Sequence, residues 1–181
     1  MRPKSEPWNG EWILLAVSRS SPHARRRLRF DGFRPASRGA FARPAWPREH
    51  VVARADALIG REGGVYVIGA LGGDSAMAEC VRGYELEGLR RRVAVVRARV
   101  ERVLSTPPTG ARALALRLEI GEAIARLFSI DPHLPPSLWD GSDPFADLAS
   151  LHARFERVLE RASAPYIANV LAKSRRAART A

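Results

Sequence analysis

The segment that decides the fold is Ser129-Ile130-Asp131-Pro132-His133-Leu134-Pro135-Pro136-Ser137-Leu138-Trp139-Asp140-Gly141. It holds three prolines and a glycine, and periodic helical sequence lies on both sides. Because each proline fixes φ and removes a backbone donor, the segment cannot be a helix or a central strand. We predict a stiff, extended connection. Leu138 and Trp139 are too apolar to leave in water and would pin it onto the helices it joins. Two roles stay open, a rigid linker with an aromatic plug and a loop that contacts a ligand.

Helical sequence follows this connection. Asp143 and Pro144 are suited to the N-cap and the first position of a helix whose apolar residues recur at helical spacing. Pro165 is expected to break or kink that helix. A short helix over 166–171 and a basic, disordered tail over 173–181 would follow.

Helical sequence also precedes the connection. Apolar residues from Met77 to Val103 form a nearly unbroken stripe, which predicts one long helix starting at Ser75. Gly83 and Gly88 weaken it and mark a bend or a close approach by another helix. Its opposite face carries arginines, Arg91 among them, and is either a solvated face or a stripe that faces a polyanion. A second helix is expected over residues 111–128.

The first 73 residues have a different pattern. Apolar runs, caps and turn residues predict the order strand, helix, strand, strand, helix, strand, which is the ferredoxin-like split βαβ plan. The predicted elements are residues 12–17, 22–30, two strands within 33–45, 47–59 and 65–71. The sequence therefore predicts an α+β protein: a ferredoxin-like domain over 1–73, an all-α C-terminal domain over 74–172, and the tail.

The composition favours anionic partners. The chain has 181 residues and a formal net charge of +11, and all but two of its 30 basic residues are arginine. Such a surface attracts nucleic acid, acidic headgroups or phosphorylated ligands, although arginine-rich usage can also reflect genomic base composition.

Cys80 is the only cysteine, so no intrachain disulfide can form. No apolar run is long enough to span a bilayer, and we expect a cytoplasmic protein without membrane contact.

The search for catalytic chemistry finds no candidate. The four histidines are widely spaced and have no cysteine at metal-ligand spacing. Cys80 lacks a basic activator, and the glycines after residue 68 lack the lysine and the spacing of a phosphate-binding loop. We therefore expect no enzyme activity, no metal and no cofactor.

Several short stretches together carry a family resemblance. They are Trp8-Asn9-Gly10-Glu11-Trp12, Arg25-Arg26-Arg27-Leu28, Gly32-Phe33, Tyr84-Glu85-Leu86, Leu127-Phe128-Ser129-Ile130-Asp131-Pro132-His133-Leu134-Pro135 and Trp139-Asp140-Gly141. In their order and spacing the chain resembles the PaaX-like family, the repressors of phenylacetate catabolism, over residues 8–162.

The resemblance implies a protein of three parts. A winged helix reads operator DNA, a ferredoxin-like middle domain is similar to small CRISPR-associated nucleases, and a helical C-terminal domain completes a dimer and helps to sense an aryl-acyl coenzyme A. Only seven residues precede Trp8, so we expect this chain to lack the winged helix. The nuclease-like relatives carry an aspartate where this chain has Ser18-Arg19, which argues against metal-dependent cleavage.

The leading hypothesis is thus the dimerisation and effector half of a phenylacetate-type regulator. Its contacts with an anionic ligand or with DNA phosphates would come from Arg25, Arg26, Arg27 and Arg91. Its C-terminal domain would be shaped by Asp131, Pro132, Leu134, Pro135 and Trp139. Two alternatives are a structural partner of a full-length regulator and a ferredoxin-like nuclease relative without its catalytic acid.

Overall fold

The computed structural model describes residues 7–18, 21–139 and 142–180. In this part of the chain the protein is a mixed α+β structure with one four-stranded antiparallel sheet and six α-helices. It is organised as two compact units. Unit 1 comprises Met1–Gly88 and Ile130–Ser142, and unit 2 comprises Leu89–Ser129 and Asp143–Ala181.

Unit 1 is built on the sheet. Its elements in chain order are β1 (Glu11–Val17), α1 (Pro22–Phe30), β2 (Arg34–Ser37), β3 (Ala40–Pro44), α2 (Arg48–Glu62), β4 (Gly64–Ala70) and α3 (Asp74–Arg82). The strands lie in the order β2-β3-β1-β4, and every neighbouring pair is antiparallel. The four strands and two helices predicted for the first 73 residues are all present.

The core of unit 1 joins the central strands to α1 and α2. Because side chains alternate along a strand, Ile13 and Leu15 of β1 lie on the same face as Phe41 of β3. This cluster also contains Leu28, Phe33, Ala45, Val51, Ala55 and Leu58.

The ends of α1 agree with the prediction. The Ala24 amide donates to Ser21 Oγ at 3.0 Å as an N-cap, and Gly32 at φ +83° turns the chain away.

The predicted single helix over 75–103 is wrong. The chain forms α3 and then α4 (Leu86–Ser105), and residues 83–85 interrupt them. Glu85 has φ +52°, which is a left-handed conformation that ends a right-handed helix.

The reason for the interruption is a tertiary contact of Tyr84. Its buried hydroxyl donates, in a bifurcated bond, to the carbonyl oxygens of Gly32 at 3.0 Å and Ala42 at 3.2 Å. A Cβ at Gly83 would lie 3.2 Å from the Cβ of Arg34, so glycine lets the chain approach β2 closely. The buried hydrogen bonds outweigh the helical pattern of the local sequence.

Unit 2 is helical. It contains α4 from Leu89 onward, α5 (Gly110–Ser129) and α6 (Pro144–Thr180). As predicted, Asp143 is the N-cap of α6: its Oδ1 accepts from the Phe145 amide at 2.9 Å. The buried residues of unit 2 include Val93, Val100, Ala113, Ile120, Ile124, Leu127, Phe145, Leu148, Phe155 and Leu159.

The break expected at Pro165 and the disordered tail expected after it are both absent from the described residues. Helix α6 continues through Pro165 to Thr180. Pro165 lies on an exposed stretch of the helix, where water can replace the lost intrahelical donor. Ser163 Oγ also donates to the Leu159 carbonyl at 2.7 Å just before it, in the buried part of the same helix.

The connection over 130–142 belongs to unit 1, and not to the helices of unit 2 that it joins. The compact unit around the sheet thus extends beyond the boundary expected at Gly73. The predicted burial of Trp139 is confirmed, since its side chain is 4% exposed. Asp140 and Gly141 of the motif lie outside the described residues.

Within the described ranges, no helix has the length and apolar character needed to cross a bilayer.

Candidate anion-binding site

A buried arginine lies on the helix-facing side of the sheet. Arg43 is opposite Ile13 in the β1–β3 pairing and is only 3% exposed. Its guanidinium donates to the backbone carbonyl of Asp31 and lies against Gly32, where a Cβ would come within 3.2 Å of it. Burial lowers the pKa of Arg43 to about 10, and the charges of Arg54 and Arg34 act in the same direction.

A second arginine connects the end of α1 to α2. Arg54 Nη1 donates to Asp31 Oδ1 at 2.6 Å, and Arg54 Nε donates to Nε2 of His50 at 3.0 Å. Since Nε2 accepts this bond, it carries a lone pair, and the His50 ring is neutral. Burial, followed by the charges of Arg54, Arg43 and His133, lowers the pKa of His50.

The connection over 130–142 supplies the third part of the site. Asp131 Oδ1 accepts from the His133 amide at 2.8 Å, and Asp131 Oδ2 lies 3.2 Å from Nδ1 of His133. His133 has φ +50°, an uncommon conformation for a residue with a Cβ. The neighbouring Pro132, Leu134 and Pro135 are buried, whereas the His133 side chain is 57% exposed. The buried neighbours therefore anchor a loop whose histidine reaches the surface.

We call these residues the Arg43 cluster: hydrogen bonds join Asp31, Arg43, His50 and Arg54, and the charge of His133, which lies beside Asp131, acts on His50. The cluster draws on β3, α2, the end of α1 and the connection, all within unit 1. It offers guanidinium and imidazole donors, and it contains no serine, threonine or cysteine that could act as a nucleophile. Such a set of groups can bind an anion.

The predicted arginines are not part of this cluster. Arg25, Arg26 and Arg27 lie on α1, and Arg27 Nη1 is 3.7 Å from Glu62 Oε1 on α2. Arg91 lies on α4 in unit 2. The motif residues Asp131, Pro132, Leu134, Pro135 and Trp139 are brought together in unit 1, where Asp131 orients His133 and the other four are buried.

Sequence reasoning missed Asp31, Arg43, His50 and Arg54. One signal was available, because Phe41 and Arg43 are two residues apart in a strand and must share a face. An arginine on the face of a buried phenylalanine is uncommon and indicates a special role. His50 and Arg54 are four residues apart on α2, a spacing that places them on one helix face, whereas Asp31 meets Arg54 only through long-range packing.

Metal chemistry has no evident site in the ranges that the structure describes, since no three His, Cys, Asp or Glu side chains group there as ligands. Cys80 is buried on α3, and burial raises the pKa of its thiol.

Comparisons with known proteins bear on the fold alone. No protein-family model and no curated protein matches the chain. Among solved structures, it is similar to the uncharacterized protein Rv0674 from Mycobacterium tuberculosis, with a TM-score of 0.60 and 18% sequence identity. The similarity covers 88% of this chain, which spans 64% of that protein's length.

Proposed function

We propose that this chain is the dimerisation and effector-sensing part of a transcriptional regulator of the phenylacetate-repressor type. It would act in the cytoplasm as a homodimer. One observation carries the proposal: the connection with the Asp-Pro-x-Leu-Pro motif is built into unit 1, where Leu134 and Trp139 are buried.

We infer in addition that unit 1 has the ferredoxin-like topology of this family. The element order from β1 to β4 and the strand order β2-β3-β1-β4 support this assignment. So do the antiparallel pairs and the core shared by the sheet, α1 and α2.

The proposed mechanism uses the covalent continuity of the connection. Its ends are the last residue of α5, Ser129, and the N-cap of α6, Asp143. An aryl-acyl coenzyme A bound at His133 would move a segment whose backbone leads directly into both helices. It would shift the dimer between DNA-competent and incompetent states to the extent that it binds one state more tightly.

The test is a pair of solution measurements on the purified chain. Sedimentation velocity is expected to detect a dimer, and calorimetry is expected to detect saturable binding of an aryl-acyl coenzyme A. His133→Ala should weaken that binding by about tenfold, the effect of losing one charge-assisted hydrogen bond of about 1.4 kcal/mol. His23→Ala, which removes an exposed histidine on α1, is the matched control and should leave it unchanged.

A monomeric chain with no affinity for acyl-coenzyme A or for duplex DNA would contradict the proposal. If the chain formed no homodimer and instead associated with a full-length winged-helix regulator, it would be a structural partner subunit.

A further inference from the structure

Helix α6 extends beyond the helix that supports it. The Arg117 side chain of α5 donates to Glu156 of α6 at 2.7 Å, and the Phe128 ring of α5 lies against His152, so the two helices run antiparallel. Because α5 begins seven residues before Arg117, its contact with α6 is expected to end about seven residues after Glu156, near Ser163. Burial agrees with this limit, since Ser163 is fully buried and most residues of α6 after it are exposed.

The buried face of α6 continues past this limit. Phe155, Leu159 and Ser163 follow one another at steps of four residues and are fully buried. The next positions on the same face carry Tyr166 and Val170, whose side chains are 39% and 42% exposed. With their neighbours these two form what we call the α6 stripe: Tyr166, Ile167, Val170 and Leu171. The apolar face that packs on α5 is thus left uncovered over the last part of α6.

The helix around the α6 stripe carries no charge. Residues 162–172 contain no Asp, Glu, Lys or Arg, and the exposed positions on the far side of the stripe include Ala168, Asn169 and Ala172. A helix surrounded by water usually has a charged or strongly polar face. A short helix is also marginal by itself, because most helical stability in proteins comes from packing one apolar face. The α6 stripe therefore requires a partner surface.

The charges at the two ends of the stripe indicate which partner fits. Glu160 precedes the stripe and Arg175 follows it, both are exposed, and the helical period places them on the same edge of the stripe. If two copies of α6 lay antiparallel about a twofold axis at the middle of the stripe, apolar side chains would face apolar side chains. Glu160 of each copy would then lie within about one helical turn of Arg175 of the other. A surface complementary to itself in this way suits a second copy of the same chain.

We propose that α6 forms an antiparallel helix pair with α6 of a second copy through the α6 stripe. The inference rests on the homodimer of the proposed function and assigns its contact surface. An anionic membrane or a nucleic acid fits less well. A helix that lies on a membrane has lysines and arginines along its polar face, and phosphate backbones are bound by the same residues. The face of α6 opposite the stripe has alanines and Asn169 instead.

Val170→Asp tests the apolar contact. It should raise the dissociation constant of the dimer at least about tenfold, because the symmetric interface would bury two carboxylates without partners. Sedimentation velocity over a series of concentrations measures the constant. Val95→Asp is the matched control: Val95 of α4 is 72% exposed and lies outside the stripe, so the constant should change less than about twofold.

A charge exchange tests the antiparallel arrangement. Glu160→Arg should weaken the dimer about fivefold, since it replaces two attractions with two repulsions at the exposed edge of the stripe. Adding Arg175→Glu to the same chain restores opposite charges and should return the dissociation constant to within about twofold of the original. A role of Glu160 within its own chain would not be rescued in this way.

Three outcomes would overturn the helix pair. The first is equal dimerisation of Val170→Asp and Val95→Asp, and the second is no rescue by the charge exchange. The third is a monomeric chain that binds phosphatidylserine vesicles or duplex DNA and loses this binding in Val170→Asp. A dimer that binds an aryl-acyl coenzyme A but is insensitive to Val170→Asp would leave the regulatory proposal standing. A dimer that depends on Val170 but binds neither acyl-coenzyme A nor DNA would defeat the regulatory proposal alone.

Discussion

Gly64→Ala is expected to lower the free energy of unfolding by about 3 kcal/mol or more, from steric overlap and backbone strain together. An alanine Cβ at this position would lie 2.2 Å from the carbonyl oxygen of Ala16 and 3.0 Å from the Cα of Val17. Both neighbours are backbone atoms of β1, so no side-chain rotation relieves the overlap. Gly64 also has φ +139°, a conformation that residues with a Cβ rarely adopt.

Gly69→Ala is the matched control on the same strand. A Cβ at Gly69 meets no atom within 4 Å, so the cost should stay below about 1 kcal/mol. Guanidinium unfolding followed by far-UV circular dichroism measures both variants. Equal stabilities for the two would mean that the β1–β4 pairing, in which Gly64 lies opposite Val17, is not the one described.

Trp139→Ala is expected to cost about 3 to 5 kcal/mol, the usual range for removing a buried large aromatic side chain. Trp139 is 4% exposed and belongs to unit 1 through the connection over 130–142. Its loss should also weaken the anchoring of the connection, so the His133 ring signals should move toward those of an unstructured peptide.

Ile130→Ala, in the same connection, is the comparison for this effect. Ile130 is 38% exposed, and its truncation should cost less than about 1 kcal/mol. If Trp139→Ala were as mild as Ile130→Ala, the connection would not be packed into unit 1, and the account of the site would lose its basis.

Local signals predicted the elements of unit 1 well. Ser21 before Pro22 and Asp143 before Pro144 are caps whose hydrogen bonds depend on adjacent residues only, and both are present. The pair Gly63-Gly64 likewise marked the turn between α2 and β4. In these places the physical cause of the structure lies within a few residues of its effect.

A long-range contact explains one of the errors. The helical stripe across residues 75–103 is interrupted because the Tyr84 hydroxyl reaches carbonyls more than forty residues earlier in the chain. The helical spacing of apolar residues in a sequence gives no information about such a long-range hydrogen bond. A second error has a local cause: Pro165 does not break α6, because it lies on an exposed stretch where water can satisfy the carbonyl that loses its donor.

The candidate site shows the same contrast between features with local causes and features that depend on long-range contacts. The proline-rich connection stood out in the sequence, and the burial of Leu134 and Trp139 followed from their apolar character. The ion pair of Arg54 did not, because Arg54 of α2 meets Asp31 only after the sheet, α1 and α2 have packed. A basic composition spread over the whole chain also drew attention to Arg25 and its neighbours and away from Arg43, which is buried.

The central claim is that the connection packs into unit 1 and brings the charge of His133 within range of His50, and titration of His50 tests it most directly. The charge of His133 is one of the causes that lower the pKa of His50, after burial, Arg54 and Arg43. In His133→Ala the pKa of His50, followed by the NMR signals of its ring, is predicted to rise above that of the unmodified chain, whereas His23→Ala should leave it unchanged. An unaltered pKa of His50 in the His133 variant would contradict the account.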